Sequence, residues 1–191
     1  QIIVLTPIKK GKWYPKVKKF LENKKMRVIE TIPKEHDKMM AIVQVLTHFS
    51  YISTAYTIAK LNVNVKDTQD FESPIYNLMI DTIARIVSQN PFLTYSIQLE
   101  NNSGEIVRQT FADAVCELRD VISYKDEKKF VEIALEATKN MGEIQSALGR
   151  SDKAVNSLNH EANILKNSIG QEIGLKHIYS GKVHIGILDK L

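Results

Sequence analysis

Cys116 is the only cysteine among the 191 residues, so the chain cannot close an internal disulfide. That fits a reducing compartment, and a cytoplasmic protein is expected. No basic stretch leads into an apolar run and a small-residue cleavage site, so no secretory signal is legible. The eight glycines are scattered and nowhere form a phosphate-binding loop. The chain therefore offers no ordinary cradle for a dinucleotide. His160, His177 and His184 stand alone, at no spacing suited to a metal. Met39 to Ala59 is about long enough to span a bilayer. It also carries Gln44, Thr47, His48, Ser50, Ser53, Thr54 and Thr57, which argues against lipid and for a helix wrapped by other helices. Neither an internal repeat nor a low-complexity stretch is present.

What is there suits an ordinary globular chain. Apolar residues make up 43% and charged residues 25%, enough for a real core in one domain, or one domain and a piece of another. The charge is uneven. Residues 1–27 hold eight lysines and Arg27 against Glu22, a local balance of +8, whereas the remainder carries −4. A basic end of this kind can attract nucleic acid. The plainer reading is a solvated lysine face on one amphipathic helix, since the interleaved arginines and aromatics of a nucleic-acid groove are missing.

Gln1 to Thr6 (QIIVLT) reads as a buried strand, broken at Gly11 from a helix with Trp13, Val17, Phe20 and Leu21 on one stripe. Met26 to Ile32 alternates as a strand and ends at Pro33. Lys182 to Leu191 also reads as a strand. A chain that opens without Met inside one strand and stops inside another is expected to be a piece of a longer protein. Between these ends the pattern is helical. Lys34 to about Leu61 predicts one long helix, and Ser73-Pro74 and Asn90-Pro91 each open another. Asn101 to Gly104 is a turn. Further helices are expected over Glu105 to Ser123, Glu127 to Met141 and about Lys153 to Ile169, the last with Val155, Leu158, Ala162, Leu165 and Ile169 at helical spacing.

Two features could carry chemistry. At 100° per residue, Asp37, Gln44, His48 and Tyr51 fall within about a 60° sector of the long helix. Buried polar groups are costly unless paired, so such a stripe faces either satisfied core partners or a wet cavity. Arg85 is the only charged residue between Thr82 and Leu99. It either pairs with Asp81 one turn earlier or offers its planar fork to a carboxylate. His36 and Asp37 lie in the first helical turn, and Cys116 reads as an inert core thiol.

Residues 34–53 (KEHDKMMAIVQVLTHFSYIS) and 73–101 (SPIYNLMIDTIARIVSQNPFLTYSIQLEN) resemble prephenate dehydrogenases, most closely the archaeal type, with His36-Asp37, His48 and Arg85-Ile86 to Asn90-Pro91 the most specific points. The resemblance implies a mainly α fold. A helical dimerisation domain like the C-terminal domain of 6-phosphogluconate dehydrogenase would follow a strand–helix–strand remnant of a Rossmann-type domain. The implied division is 1–32, the end of the nucleotide-binding domain; 33–175, the helical substrate and dimerisation domain; and 176–191, a C-terminal β segment.

The implied reaction is oxidative decarboxylation of prephenate to 4-hydroxyphenylpyruvate with NAD or NADP, in a homodimer without membrane attachment. The family's catalytic His is expected upstream of Gln1, so no catalytic residue is assigned here. Arg85 would hold a substrate carboxylate and His48 would stand on the substrate side; Gln44 and Tyr51 are candidate contacts from the polar stripe and not from the resemblance. Many bacterial members read Ser-His-Leu-Pro-His where this chain has Gln44-Val45-Leu46-Thr47-His48, Ser-Asp-Pro where it has Gln89-Asn90-Pro91, and a Trp near Thr94 and Tyr95. Prephenate and arogenate both stay open as substrates. The alternatives are a non-catalytic helical module whose basic end binds nucleic acid, and a related dehydrogenase acting on another acid.

Overall fold

A computed structural model of the chain describes residues 1–176 and 180–190. It contains two compact units, Gln1–Phe130 and Val131–Leu191.

The first unit opens with strand β1 (Ile2–Leu5), helix α1 (Tyr14–Asn23) and strand β2 (Arg27–Glu30). The strands pair in parallel, with Ile2 opposite Arg27 and Leu5 opposite Glu30, and α1 is the crossover that a parallel pair requires. Helix α2 (Pro33–Met40), a π-helical segment (Ala41–Leu46) and helix α3 (Thr47–Lys60) then form one continuous rod. Its extent matches the expected long helix. Its interior does not, because the six π residues interrupt the α-helical count.

A short 3-10 turn (Val65–Phe71) leads to α4 (Pro74–Val87) and α5 (Pro91–Glu100). Both of these helices start as their sequence predicts. Ser73 Oγ accepts from Tyr76 N–H at 3.2 Å and Asn90 Oδ1 from Phe92 N–H at 2.9 Å, while the prolines sit in the first turn where a missing N–H costs nothing. Helix α6 (Gly104–Ser123) follows, and the division between the units falls inside α7 (Glu127–Lys139).

In the second unit, α8 (Ile144–Asn167) begins nine residues before the expected Lys153 and runs through Gly149, whose surroundings are open. The expected C-terminal strand is real as β4 (Val183–Ile187). It is half of an antiparallel hairpin with β3 (Glu172–Lys176), in which Glu172 faces Ile187. His177 lies outside the described residues, as does the side chain of Ala162.

The core of the first unit sits along the rod. Val45 is 1% exposed, Ala41 2% and Ile83 5%, and Phe49 packs edge-on to Phe111 of α6 at 5.6 Å. Little else is fully buried. The chain exposes 15772 Å², whereas two compact units of these sizes would expose roughly 11,000 Å² together. Much of the surplus is apolar: Ile106, Ile122 and Leu135 all point outward from α6 and α7.

Candidate functional site

The rod is held by side chains that answer its backbone irregularity. A π segment makes i→i+5 hydrogen bonds, so carbonyls that an α-helix would satisfy need other donors. Thr47 Oγ1 donates to Ile42 O at 3.3 Å. From α5 and the turn beyond it, Gln98 Nε2 donates to Val45 O at 3.0 Å, and Asn101 Nδ2 donates at 2.9 Å to Asp37 O, just before the segment, which also accepts from Ala41 N–H. Arg108 of α6 in turn donates to Gln98 O at 2.5 Å. Gly104 permits that approach, because a Cβ there would lie 2.9 Å from both Gln98 O and Arg108 Nη1. π-Bulges recur at functional sites, which directs attention to the residues just after this one.

His48 stands there, half-buried, with Nδ1 out of solvent and without a hydrogen-bond partner. Gln98 Oε1 is likewise buried and unpartnered. Tyr51 is half-buried, but Gln44 is exposed beside the fully buried Val45. The expected single stripe is thus divided, since the 100° spacing that aligned Gln44 with His48 does not hold through the π residues. Most of the rod's other polarity serves the helix itself. Ser50, Thr54 and Thr57 hydroxyls donate to the carbonyls of Thr47, Ser50 and Ser53. Asp37 contacts His36 Nδ1 at 3.2 Å.

Arg85 is exposed on α4 and forms no ion pair among the described residues, so the expected alternative partner Asp81 does not hold it. Two positions past the buried Ile83, it lies about 200° around the helix, on the face away from the core. Among the described residues Arg85 and His48 share no hydrogen bond or ion pair. A cavity of about 340 Å³ between α3, α4 and α5 is walled by Phe49, Ile52, Ile86 and Tyr95, with Gln89, Thr94 and Gln98 among its polar groups. Neither His48 nor Arg85 lines it.

Cys116 is exposed on α6, a correction to the expected core thiol: its helical face is not covered by this chain. Gln98 and Asn101 went unread as partners of the rod. Their i, i+3 spacing, which puts two amides on one face at the end of α5, was the available signal.

The sharpest electrostatics lie at the end of β2. Glu30 accepts from Lys10 at 2.7 Å and Lys18 at 2.5 Å, and these hydrogen bonds hold its carboxyl at about 2. The Tyr14 hydroxyl, buried and without a well-formed hydrogen bond, is pushed up to about 12 by burial first and by the Glu30 carboxylate second. No group of ligands suited to a metal occurs among the described residues, and no described helix is long and apolar enough to cross a membrane.

A short parallel β–α–β unit followed by helices with an uncovered apolar face defines the class: a mainly helical fold. The chain belongs to the family described as prephenate dehydrogenase, dimerization domain, whose model matches residues 32–136. It is similar over its whole length, at 41% identity, to 44% of the probable arogenate/prephenate dehydrogenase of Methanocaldococcus jannaschii. A 4-amino-4-deoxyprephenate dehydrogenase of Streptomyces pristinaespiralis is 27% identical over 65% of this chain and 42% of its own length. The T-protein of Enterobacter agglomerans is 28% identical over 51% of this chain and 26% of its own. The chain spans less than half the length of these relatives. The family implies a nicotinamide cofactor. The residues here do not fit its usual cradle, because β1 runs into Thr6-Pro7-Ile8 and not into a glycine-rich turn that opens a helix.

Proposed function

We propose that this chain is the helical, substrate-side part of a cytoplasmic prephenate dehydrogenase, the enzyme that converts prephenate to 4-hydroxyphenylpyruvate by oxidative decarboxylation, with NAD or NADP as oxidant, on the route to tyrosine. The observation that carries the reading is where the family match falls: 32–136 covers the rod and α4 to α6, with both His48 and Arg85 inside it. Residues 1–32 are then the end of a nucleotide-binding domain, 33–175 the substrate and dimerisation domain, and 176–191 a C-terminal β segment. The catalytic proton acceptor belongs to residues outside this chain.

The chemistry of the two site residues supports substrate binding. Prephenate carries two carboxylates, and the unpaired guanidinium of Arg85 suits one of them in two parallel hydrogen bonds. His48 Nδ1 lacks a partner and can meet a polar group of the substrate, with Tyr51 one turn along the same helix and Gln44 at the solvent edge. Homodimerisation follows from the uncovered surface. Obligate homodimers bury about 2,000–5,000 Å² in total, and the surplus exposed area of this chain can supply an interface of that size. Arogenate is the second reading for the substrate, favoured by the paired name of the archaeal relative.

In the longer protein, Arg85→Ala should raise the KM for prephenate about tenfold to a hundredfold, the worth of a hydrogen bond between charged groups. The melting temperature should change little, since Arg85 is exposed and forms no ion pair among the described residues. An unaltered KM takes Arg85 out of the site. Parallel kinetics with arogenate decide between the two acids, and light scattering that finds a monomer refutes the dimer.

A further inference from the structure

The loop after β1 encloses a feature that the assignment of His48 and Arg85 leaves unused. Thr6 to Trp13 curls around an open cleft of about 450 Å³ with Leu5, Pro7, Trp13 and Val17 as its apolar walls and Lys9 and Lys12 on its rim. No carboxylate lines it. The lysines of this stretch divide sharply. Lys10 is neutralised by Glu30 at 2.7 Å, and Lys16 lies over one face of the Trp13 ring at 4.7 Å. Lys9 and Lys12 form no ion pair or hydrogen bond among the described residues. Trp13 remains 65% exposed despite being the largest apolar side chain in the unit. The cleft also stands at the carboxyl end of a parallel strand, where open α/β sheets place their ligands. The Lys10–Glu30 bridge and the Tyr14 N–H to Gly11 O bond at 3.0 Å fix the loop before any ligand arrives.

We propose that this cleft binds a carboxylate carried on a small ring, with Lys9 and Lys12 taking the anionic oxygens and Trp13, Pro7 and Leu5 taking the ring. A pair of cations without a carboxylate partner over an apolar floor selects for that combination: a bare anion gains nothing from the walls, and a neutral ring gains nothing from the rim. Two compounds of this chemistry follow from the proposed reaction, the dicarboxylate prephenate and the monocarboxylate 4-hydroxyphenylpyruvate. Naming them rests on that reading, but the cleft itself does not.

Trp13 reports the test directly. In the longer protein, its fluorescence is titrated with prephenate, 4-hydroxyphenylpyruvate and inorganic phosphate at constant ionic strength, with Trp13→Phe identifying the signal. One or both ring acids should give a saturable change. Exposed lysines contribute less than buried ones, so in the Lys9→Gln/Lys12→Gln double variant the affinity should fall about tenfold. Gly11→Leu gives a second, steric arm. Gly11 lines the cleft and a Cβ there meets nothing within 4 Å, so a leucine is accommodated without a clash at the backbone and should weaken binding by crowding the cleft. Tighter binding of prephenate marks a substrate contact, and tighter binding of 4-hydroxyphenylpyruvate marks a product site. Phosphate binding as tight as the ring acids, no signal with any probe, or undiminished affinity in both variants overturns the proposal. Turnover of prephenate by the unaltered protein is a separate measurement, and its failure would remove the proposed reaction while leaving the cleft's binding result in place.

Discussion

Asn101→Ala is the substitution whose consequences can be worked furthest. Asn101 does two jobs at once: Nδ2 donates to Asp37 O at 2.9 Å, and Oδ1 accepts from Ser103 N–H at 2.9 Å. Each hydrogen bond is worth about 0.5–1.5 kcal/mol net, so losing both costs roughly 2 kcal/mol. The Asp37 carbonyl keeps Ala41 N–H as a donor, so no orphaned acceptor adds to the loss. In a chain of this size, ~2 kcal/mol lowers the melting temperature by about 4–8 °C. Scanning calorimetry of this 191-residue chain reads this shift directly. Asn101→Asp is the informative control, because it keeps the acceptor for Ser103 N–H and sets an oxygen against the Asp37 carbonyl. It should be no more stable than Asn101→Ala. An Asn101→Ala protein melting within about 1 °C of the parent, or a fully stable Asn101→Asp, would refute the idea that this amide anchors the rod.

Other outcomes are equally specific. Glu30, whose ordinary value is 4.5, is held at about 2 by hydrogen bonds from Lys10 and Lys18. Its depressed value means that the stabilisation is present above about pH 4.5 and is lost as the pH falls through 2. The melting temperatures of the parent and Glu30→Gln should therefore differ near neutrality and converge toward pH 2, with a smaller gap at high salt; a gap that ignores pH contradicts the assignment. Gly104→Ala should destabilise by about 1–3 kcal/mol in urea unfolding, because its methyl group would press against a backbone carbonyl and the Arg108 guanidinium. A neutral result would mean that α5 and α6 can separate at no cost.

The parts of the fold that were legible are those decided locally. Ser73-Pro74 and Asn90-Pro91 start helices because a side-chain acceptor and a residue without N–H solve the end problem within four residues. The rod's overall span was legible for the same reason, with Pro33 at its start. The π segment was not, because its stability depends on Gln98, 53 positions away, and no window along the rod contains that donor. The start of α8 was misjudged at Gly149-Arg150-Ser151-Asp152, where a glycine and good capping residues mimic a helix start inside one continuous helix. The site divided along similar lines. His48 and Arg85 stood out as polar groups in apolar surroundings. The separation of Gln44 from His48 and the outward face of Arg85 follow from rotation and packing, which composition does not encode.

The π segment also gives the rod one place where its length can change. It carries one residue more than the α-helical count for the same backbone path. Deleting one residue from Ala41 to Leu46 would let the rod close into an ordinary α-helix while the helix beyond it keeps its bearing, so that His48 and the core-facing Phe49 stay in phase. A deletion in the regular α-helix from Thr47 to Lys60 has no extra residue to absorb it and would turn everything beyond it by about 100°. The segment thus works as slack in an otherwise rigid count. Single-residue deletions should be better tolerated between 41 and 46, at an exposed position such as Val43, than between 47 and 60.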